Sequence, residues 1–216
     1  MQLLLPLLVG KLFAIIIGIY YFRYLPRPYK WVLLTVALSA FADGYGRYIA
    51  LQLHQHNSWM FNIYMIIDFG LNSIIAILLT KGSSAKRIFA ALIVVYCIGW
   101  ATEIMIDSIY ILANFAIVLG SILLTVMYFF VLINNSIFSN KDILKQPVFW
   151  LSASTILFCA PGIPYWGLHN YLNNNALKLA AQLSYINVVL DALRHPLAAI
   201  SFILLGRQKT AVLNTA

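Results

Sequence analysis

Ionisable and polar side chains recur at helical spacing inside three apolar stretches of this sequence. Side chains three or four residues apart share one face of a helix, so each group forms a stripe. The three stripes are Thr35, Ser39, Asp43 and Arg47; Tyr64, Asp68 and Asn72; and Ser184, Asn187, Asp191 and Arg194. Carboxylates can bind cations or take up protons, and an arginine can hold an anionic group. The stripes therefore predict a site for a small polar ligand or ion.

The charged residues of these stripes fall at a common depth. With a helical rise of about 1.5 Å per residue, Asp43, Asp68 and Arg194 lie roughly 18–20 Å from one set of helix ends, and Lys11 lies near the same level. His195 joins them as the natural proton switch, because histidine is the side chain whose charge ordinarily changes near physiological pH. The predicted ligand- or ion-binding residues are Asp43, Arg47, Asp68, Asn72, Asp191, Arg194 and His195.

A purely structural role for these residues stays open. Asp43 with Arg47, and Asp191 with Arg194, could form ion pairs within one helix, and polar side chains also hold membrane helices together. The number of groups favours a site. Helix packing does not need three carboxylates, a histidine and basic partners at one level.

The elements that must position these residues are membrane-spanning helices. Of 216 residues, 62% are hydrophobic and only 9% are charged, whereas a soluble domain carries about 25% charged residues. Seven apolar stretches are long enough to cross a bilayer, which takes about 20 residues each. They are residues 2–22, 30–53, 58–80, 87–107, 109–134, 147–171 and 177–206. The sequence therefore predicts one all-α domain over residues 1–216, a seven-transmembrane-helix bundle.

The positions of Lys and Arg predict the orientation of this bundle. The connections after the first, third and fifth spans, together with the C-terminal tail, hold ten basic residues: Arg23, Arg27, Lys30, Lys81, Lys86, Arg87, Lys141, Lys145, Arg207 and Lys209. The opposite side has only Lys178. The positive-inside rule then places the N-terminus outside and the C-terminus in the cytoplasm of a bacterial inner membrane or its equivalent. Because the basic residues are spread over four short segments, we do not expect nucleic acid as a partner.

Proline residues predict hinges in the sixth and seventh spans. Pro161 and Pro164 lie three residues apart in the sixth span, and Pro196 follows His195 in the seventh. Each proline removes a backbone donor and kinks or breaks a helix. Interrupted helices near the midplane often line binding sites in transporters, although proline kinks also occur for packing alone.

No cofactor is expected. His54, His56, His169 and Glu103 lie near the outer surface and have the side chains of a zinc site, but their spacing matches no zinc signature, so metal binding is the less favoured interpretation. Retinal binding as in opsins needs a lysine buried in the last helix, and the lysine near it, Lys178, lies at its outer edge. Cys97 and Cys159 lie within apolar spans and indicate no disulfide.

Three functions remain open from the sequence. The favoured one is a small-molecule- or ion-responsive sensor or receptor, which would need a cytoplasmic signalling partner because its loops are short. The second is a transporter or channel for a small polar solute, ion or proton, in which a homo-oligomer could replace the missing internal repeat. The third is a lipid-modifying enzyme that uses the outer histidines. Without any catalytic motif, we do not expect an enzyme.

Overall fold

The computed structural model describes residues 4–137 and 142–214, and all the regular secondary structure within these ranges is helical. Seven α-helices occupy most of them. They are α1 (Leu4–Tyr20), α2 (Arg27–Leu51), α3 (Ser58–Leu79), α4 (Ser83–Asp107), α5 (Asn114–Leu132), α6 (Pro147–Asn175) and α7 (Leu177–Asn214). Short helical turns follow α1, extend α5 to Ile137 and precede α6. The start of the first predicted span and Lys141 lie outside the described residues.

Five of these helices are long and apolar enough to cross a membrane. The segments are Ser58–Leu79, Ser83–Asp107, Asn114–Asn135, Pro147–His169 and Leu177–Gln208. α1 is apolar but has only 17 described residues, and α2 is less hydrophobic because it carries Arg27, Lys30, Asp43 and Arg47. Five apolar helices indicate an integral membrane protein.

The fifth predicted span begins too early. Residues 108–113 form an irregular connection, and α5 starts at Asn114 rather than at 109. Asn62, which is fully buried in α3, holds this connection: its Nδ2 donates to the carbonyls of Ile109 and Ile111 at 2.8 and 2.7 Å, and its Oδ1 accepts from the backbone N–H of Ala113 at 3.0 Å. Asn62 thus satisfies three backbone groups of the connection that form no helical hydrogen bonds.

Packing of the helices leaves large apolar side chains on the outside. α7 packs against α6 and α1, α5 packs against α6, and α2 packs against α3. Aromatic and aliphatic residues such as Tyr128, Phe202 and Ile75 fill the interior, while residues such as Ile16 and Ile98 remain more than 60% exposed. An apolar exterior is the surface that lipid requires.

Gly10 lets α1 and α7 approach closely. A Cβ at this position would lie 2.8 Å from the carbonyl oxygen of Ala192 and 3.4 Å from Cδ of Pro196. Glycine is thus the residue that fits, because a larger side chain would collide with the backbone of α7. This contact sets Lys11, the next residue, against the polar face of α7.

Candidate functional site

Lys11 lies at the centre of the buried charges. Its side chain is 1% exposed, and its Nζ lies 2.5 Å from Oδ2 of Asp43 and 3.1 Å from Oδ2 of Asp191. These three residues come from α1, α2 and α7, and we refer to them as the Lys11 cluster. A buried cation needs such partners, because an unpaired charge in a low-dielectric interior is very costly. The cluster joins three helices that are distant in sequence.

His195 extends the Lys11 cluster along α7. Its side chain is 4% exposed, and its Nε2 lies 3.4 Å from Oδ1 of Asp191, one helical turn away. Asp191 is therefore placed between a lysine and a histidine. The structure places His195 beside a carboxylate that also contacts Lys11.

A second set of polar contacts lies on α3 and α7, next to the Lys11 cluster. The hydroxyl of Tyr64 donates to Oδ1 of Asp68 at 3.2 Å, and Nη2 of Arg194 donates to Oδ1 of Asn72 at 3.4 Å. The guanidinium of Arg194 also lies 4.7 Å from the ring centroid of Phe158, a cation–π contact. Asn72 ties the group together, since its Nδ2 donates to the backbone carbonyl of Asp68 at 2.8 Å.

The intrahelical ion pairs considered from the sequence are not formed. Asp43 pairs with Lys11 rather than with Arg47, and Asp191 pairs with Lys11 and His195 rather than with Arg194. Arg47 is half-buried and forms no ion pair with any described residue. The physical reason is burial, because a neighbouring helix offers a partner that is withdrawn from solvent, Lys11. The spacing of residues along one helix does not show which helices are neighbours, so this partner could not be predicted.

A cavity of about 460 Å³ lies between the helices, and the charged groups form part of its wall. Its charged lining residues are Lys11, Asp43, Asp68, Asp191 and Arg194. Its aromatic lining residues are Phe61, Tyr64, Phe69, Tyr96, Phe158 and Trp166. We call this space the central cavity. Its volume and its mostly apolar lining with a few convergent polar groups are typical of small-molecule sites.

The central cavity reaches one end of the bundle. Asn57 and Ser58 line it at the α2–α3 connection, and Leu112 lines it at the α4–α5 connection. Both connections lie at the end opposite to the basic segments that contain Arg23, Arg27 and Lys81. The central cavity therefore extends from the charged groups toward that end.

A second, much smaller cavity lies on the other side of the charged groups. It has a volume of about 20 Å³ and shares Ser39, Asp68 and Arg194 with the central cavity. His195 and four further polar residues complete its polar lining: Thr35, Asn72, Ser154 and Thr155. A space of this size and polarity is large enough for about one water molecule.

The formal charge of the central cavity is negative. Three aspartates and two bases line it, which leaves a net charge of −1 when each is ionised. His195 lines the small cavity instead. In a low-dielectric environment, a residual charge of this kind attracts a counter-ion or a proton.

The proline residues lie inside continuous helices. Pro161 and Pro164 are within α6, and Pro196 is within α7. The sixth helix is therefore not interrupted, and a hinge at these positions would take the form of a bend. Gly162, next to Pro161, lines the central cavity.

The four candidate zinc ligands are not gathered into a metal site. Among the described residues no group of three or more His, Cys, Asp or Glu side chains could hold a metal ion. Glu103 has a structural role instead, because its two carboxylate oxygens accept the backbone N–H groups of Phe115 and Ala116 at 2.9 and 2.7 Å. An acidic side chain at this position caps the N-terminus of α5. His169 contacts Asn173, while His54 and His56 lie exposed in the α2–α3 connection.

Two residues of the site were not among those predicted to bind a ligand. Lys11 was placed at the correct level but not assigned a binding role, although a lysine inside the apolar α1 was the signal. Asn187 was recognised only as part of a stripe. Asn187 lines the central cavity, its Oδ1 is buried near Gly162, and no described residue donates a hydrogen bond to that atom.

Comparisons with protein-family models, with curated proteins and with solved structures found no match to this chain.

Proposed function

We propose that this chain is a seven-span membrane protein that binds a small polar ligand or ion in the central cavity and acts as a sensor or receptor. The observation that carries the proposal is the Lys11 cluster on the wall of a cavity of about 460 Å³. Charges that served only to hold helices together would be expected in a closed interface, because helix packing gains nothing from an open space beside them.

The direction of access supports a sensor for ligands from outside. Under the proposed topology the N-terminus is outside and the basic connections face the cytoplasm. The central cavity then opens outward, at Asn57, Ser58 and Leu112. On the cytoplasmic side of the charged groups, the small cavity of about 20 Å³ is too small for a solute. A site that a ligand can reach from one side of the membrane fits a receptor, which binds its ligand without passing it across.

α7 supplies a route from the site to the cytoplasm. It carries Asp191, Arg194 and His195 and continues without interruption to Asn214. Near its cytoplasmic end, Gln208 Nε2 donates to the backbone carbonyl of Lys145 at 3.1 Å. A ligand that changes the pairing of Asp191 would favour a different position of α7, and Pro196 is the natural point for it to bend. Since the cytoplasmic connections are short, a partner protein would receive the signal.

A screen of small polar compounds and ions against the purified full chain in nanodiscs tests the proposal. Thermal unfolding is the readout, since a ligand that binds only the folded state raises the melting temperature. We expect compounds that stabilise the wild-type chain to lose their effect in Asp43→Asn and to keep it in the matched variant Asp107→Asn, which changes an exposed aspartate outside the cavity. Stabilisation that survives Asp43→Asn, or the absence of any stabilising compound, would contradict the proposal.

A transporter or channel for a small solute, ion or proton is the second candidate. The small cavity favours it, because this space continues the polar path from Asp68 and Arg194 past His195 toward the cytoplasmic side. Flux into proteoliposomes that is lost in Asp43→Asn would support transport. Binding without flux, together with co-purification of a cytoplasmic protein, would support the receptor.

A further inference from the structure

We infer that the ligand of the central cavity is a small organic monocation, a protonated amine with an apolar body. This inference rests on the proposed binding function and names the chemical class of the ligand. Its ammonium group would lie against Asp43, Asp191 and Asn187. Its body would lie among the aromatic side chains of the cavity.

The distribution of charge places the excess of negative charge at the Lys11 cluster. Lys11 is the one cation among the three residues, while Asp43 and Asp191 supply two carboxylates, so the cluster carries a formal charge of −1 when His195 beside Asp191 is neutral. On the other side of the cavity, Asp68 and Arg194 balance each other. A ligand with one positive charge at the Lys11 cluster would therefore neutralise the whole cavity wall, which the low dielectric of the membrane interior favours.

Asn187 supplies the hydrogen-bond acceptor that an ammonium group needs. It lies four residues before Asp191 on α7, so the two side chains share one face of the helix and lie one turn apart. Its Oδ1 is buried and receives no hydrogen bond from the described residues. Buried polar atoms almost always have a partner, and those without one often mark a place for a ligand or water. A ligand with N–H donors would satisfy it.

Both carboxylates of the cluster face the cavity. The Asp43 side chain is 25% exposed and the Asp191 side chain 17% exposed, whereas Lys11 is 1% exposed. All three residues line the cavity, and the two carboxylates are more accessible than the ammonium group of Lys11. A cation in the cavity would therefore find carboxylate oxygens more accessible than the ammonium group of Lys11.

The walls fit an apolar body better than a second charged group. Six aromatic side chains line the cavity, and aromatic faces attract an organic cation. The one guanidinium that could hold a ligand carboxylate, Arg194, already contacts Phe158 and Asn72. An anionic ligand would also lie among three aspartates. A monocation is therefore favoured over an anion or a zwitterion.

Binding of five matched probes to the full chain in nanodiscs tests this inference by calorimetry. The probes are 2-phenylethylamine, its N-trimethyl analogue, 2-phenylethanol, phenylacetate and phenylalanine. We expect the amine to bind at least about tenfold more tightly than the alcohol or the acid, because a charge-assisted hydrogen bond is lost in each. We expect Asn187→Ala to lower the affinity for the amine but not the affinity for its N-trimethyl analogue, which has no N–H donor. Asn174→Ala, which changes an exposed asparagine, should leave the affinities for the amine and for its N-trimethyl analogue unchanged.

The outcomes separate this inference from the proposed function. Equal or tighter binding of the alcohol, the acid or the zwitterion would overturn the cation assignment and leave a ligand site in place. Where no probe binds, alkylation by N-ethylmaleimide decides whether the cation assignment alone or also the binding function fails. The variant is Ser121→Cys with Cys97 and Cys159 replaced by alanine, since both are free thiols and Cys159 also lines the cavity. A reactive thiol would show an open cavity and overturn only the cation assignment. An unreactive thiol would overturn the binding function as well. If Asp43→Asn folds, its affinity for the amine should fall at least about tenfold.

Discussion

At the scale of single residues, the stability of the site depends on a lysine withdrawn from solvent. Lys11 is 1% exposed, and both partners that neutralise it are carboxylates on other helices. Replacing a whole buried ion network by apolar groups can be neutral, but removing one member leaves the others uncompensated. A single substitution in the Lys11 cluster should therefore lower the free energy of unfolding more than a double substitution that removes a charge of each sign.

Lys11→Met should lower the free energy of unfolding by about 3–5 kcal/mol, since it leaves two half-buried carboxylates without their shared cation. Unfolding by SDS in mixed micelles measures this quantity. The matched variant Lys178→Met, which removes an exposed lysine, should change it by less than about 0.5 kcal/mol. Equal unfolding curves for the two variants would show that Lys11 is not paired as described.

Double-mutant cycles should distinguish the partners of Asp191. We expect a coupling energy of at least about 1 kcal/mol between Lys11→Met and Asp191→Asn, because these side chains are in direct contact. The coupling between Asp191→Asn and Arg194→Leu should be smaller, because Arg194 contacts Asn72 and Phe158 instead. The reverse order would favour the intrahelical pair that the spacing of Asp191 and Arg194 allows.

At the scale of elements, the sequence predicted the helices better than their contacts. Apolar length was enough to predict the five long apolar helices, and the stripe spacing predicted that Asp43 and Asp191 lie on polar faces. Partners across helices could not be predicted, because they depend on which helices are neighbours and how closely they approach. Gly10 illustrates this: nothing in the sequence marks it as the contact that brings α1 to α7, and without that contact Lys11 would not reach Asp191.

Gly10→Ala should destabilise the bundle by about 1–3 kcal/mol, because the new Cβ would press against the backbone oxygen of Ala192. Backbone atoms cannot move aside as a flexible side chain can. Gly44→Ala is the matched control: it lies within α2 with no atom within 4 Å of the new Cβ, and it should stabilise the helix by roughly 0.5–1 kcal/mol. Destabilisation by both variants to the same extent would contradict the close contact at Gly10.

Asn62→Ala should lower the free energy of unfolding by about 2–4 kcal/mol, because three backbone groups of the α4–α5 connection lose their partner. The same connection forms part of the mouth of the central cavity at Leu112. Asn174→Ala, on an exposed position of α6, serves as the control and should be nearly neutral. Similar SDS unfolding curves for both variants would exclude a structural role for Asn62.

At the scale of the whole molecule, the distribution of charge gives the bundle two different ends. Basic residues lie at the end where α1 meets α2, and the central cavity extends toward the other end. The sequence predicted the charged layer but not the cavity, because open space between helices depends on how their side chains pack. The small cavity near His195 was equally beyond sequence reasoning, since it is enclosed by residues of α2, α3, α6 and α7.

Thiol accessibility in intact cells tests most directly whether the charged layer lines a cavity open to the outside. Ser121→Cys lines the central cavity, and Ser152→Cys is fully buried and lies outside it; both variants are made with Cys97 and Cys159 replaced by alanine. We expect a membrane-impermeant cationic methanethiosulfonate, added outside, to modify Ser121→Cys faster than its anionic counterpart and to leave Ser152→Cys unmodified. No modification of Ser121→Cys from outside, or modification of both variants at one rate, would contradict the account.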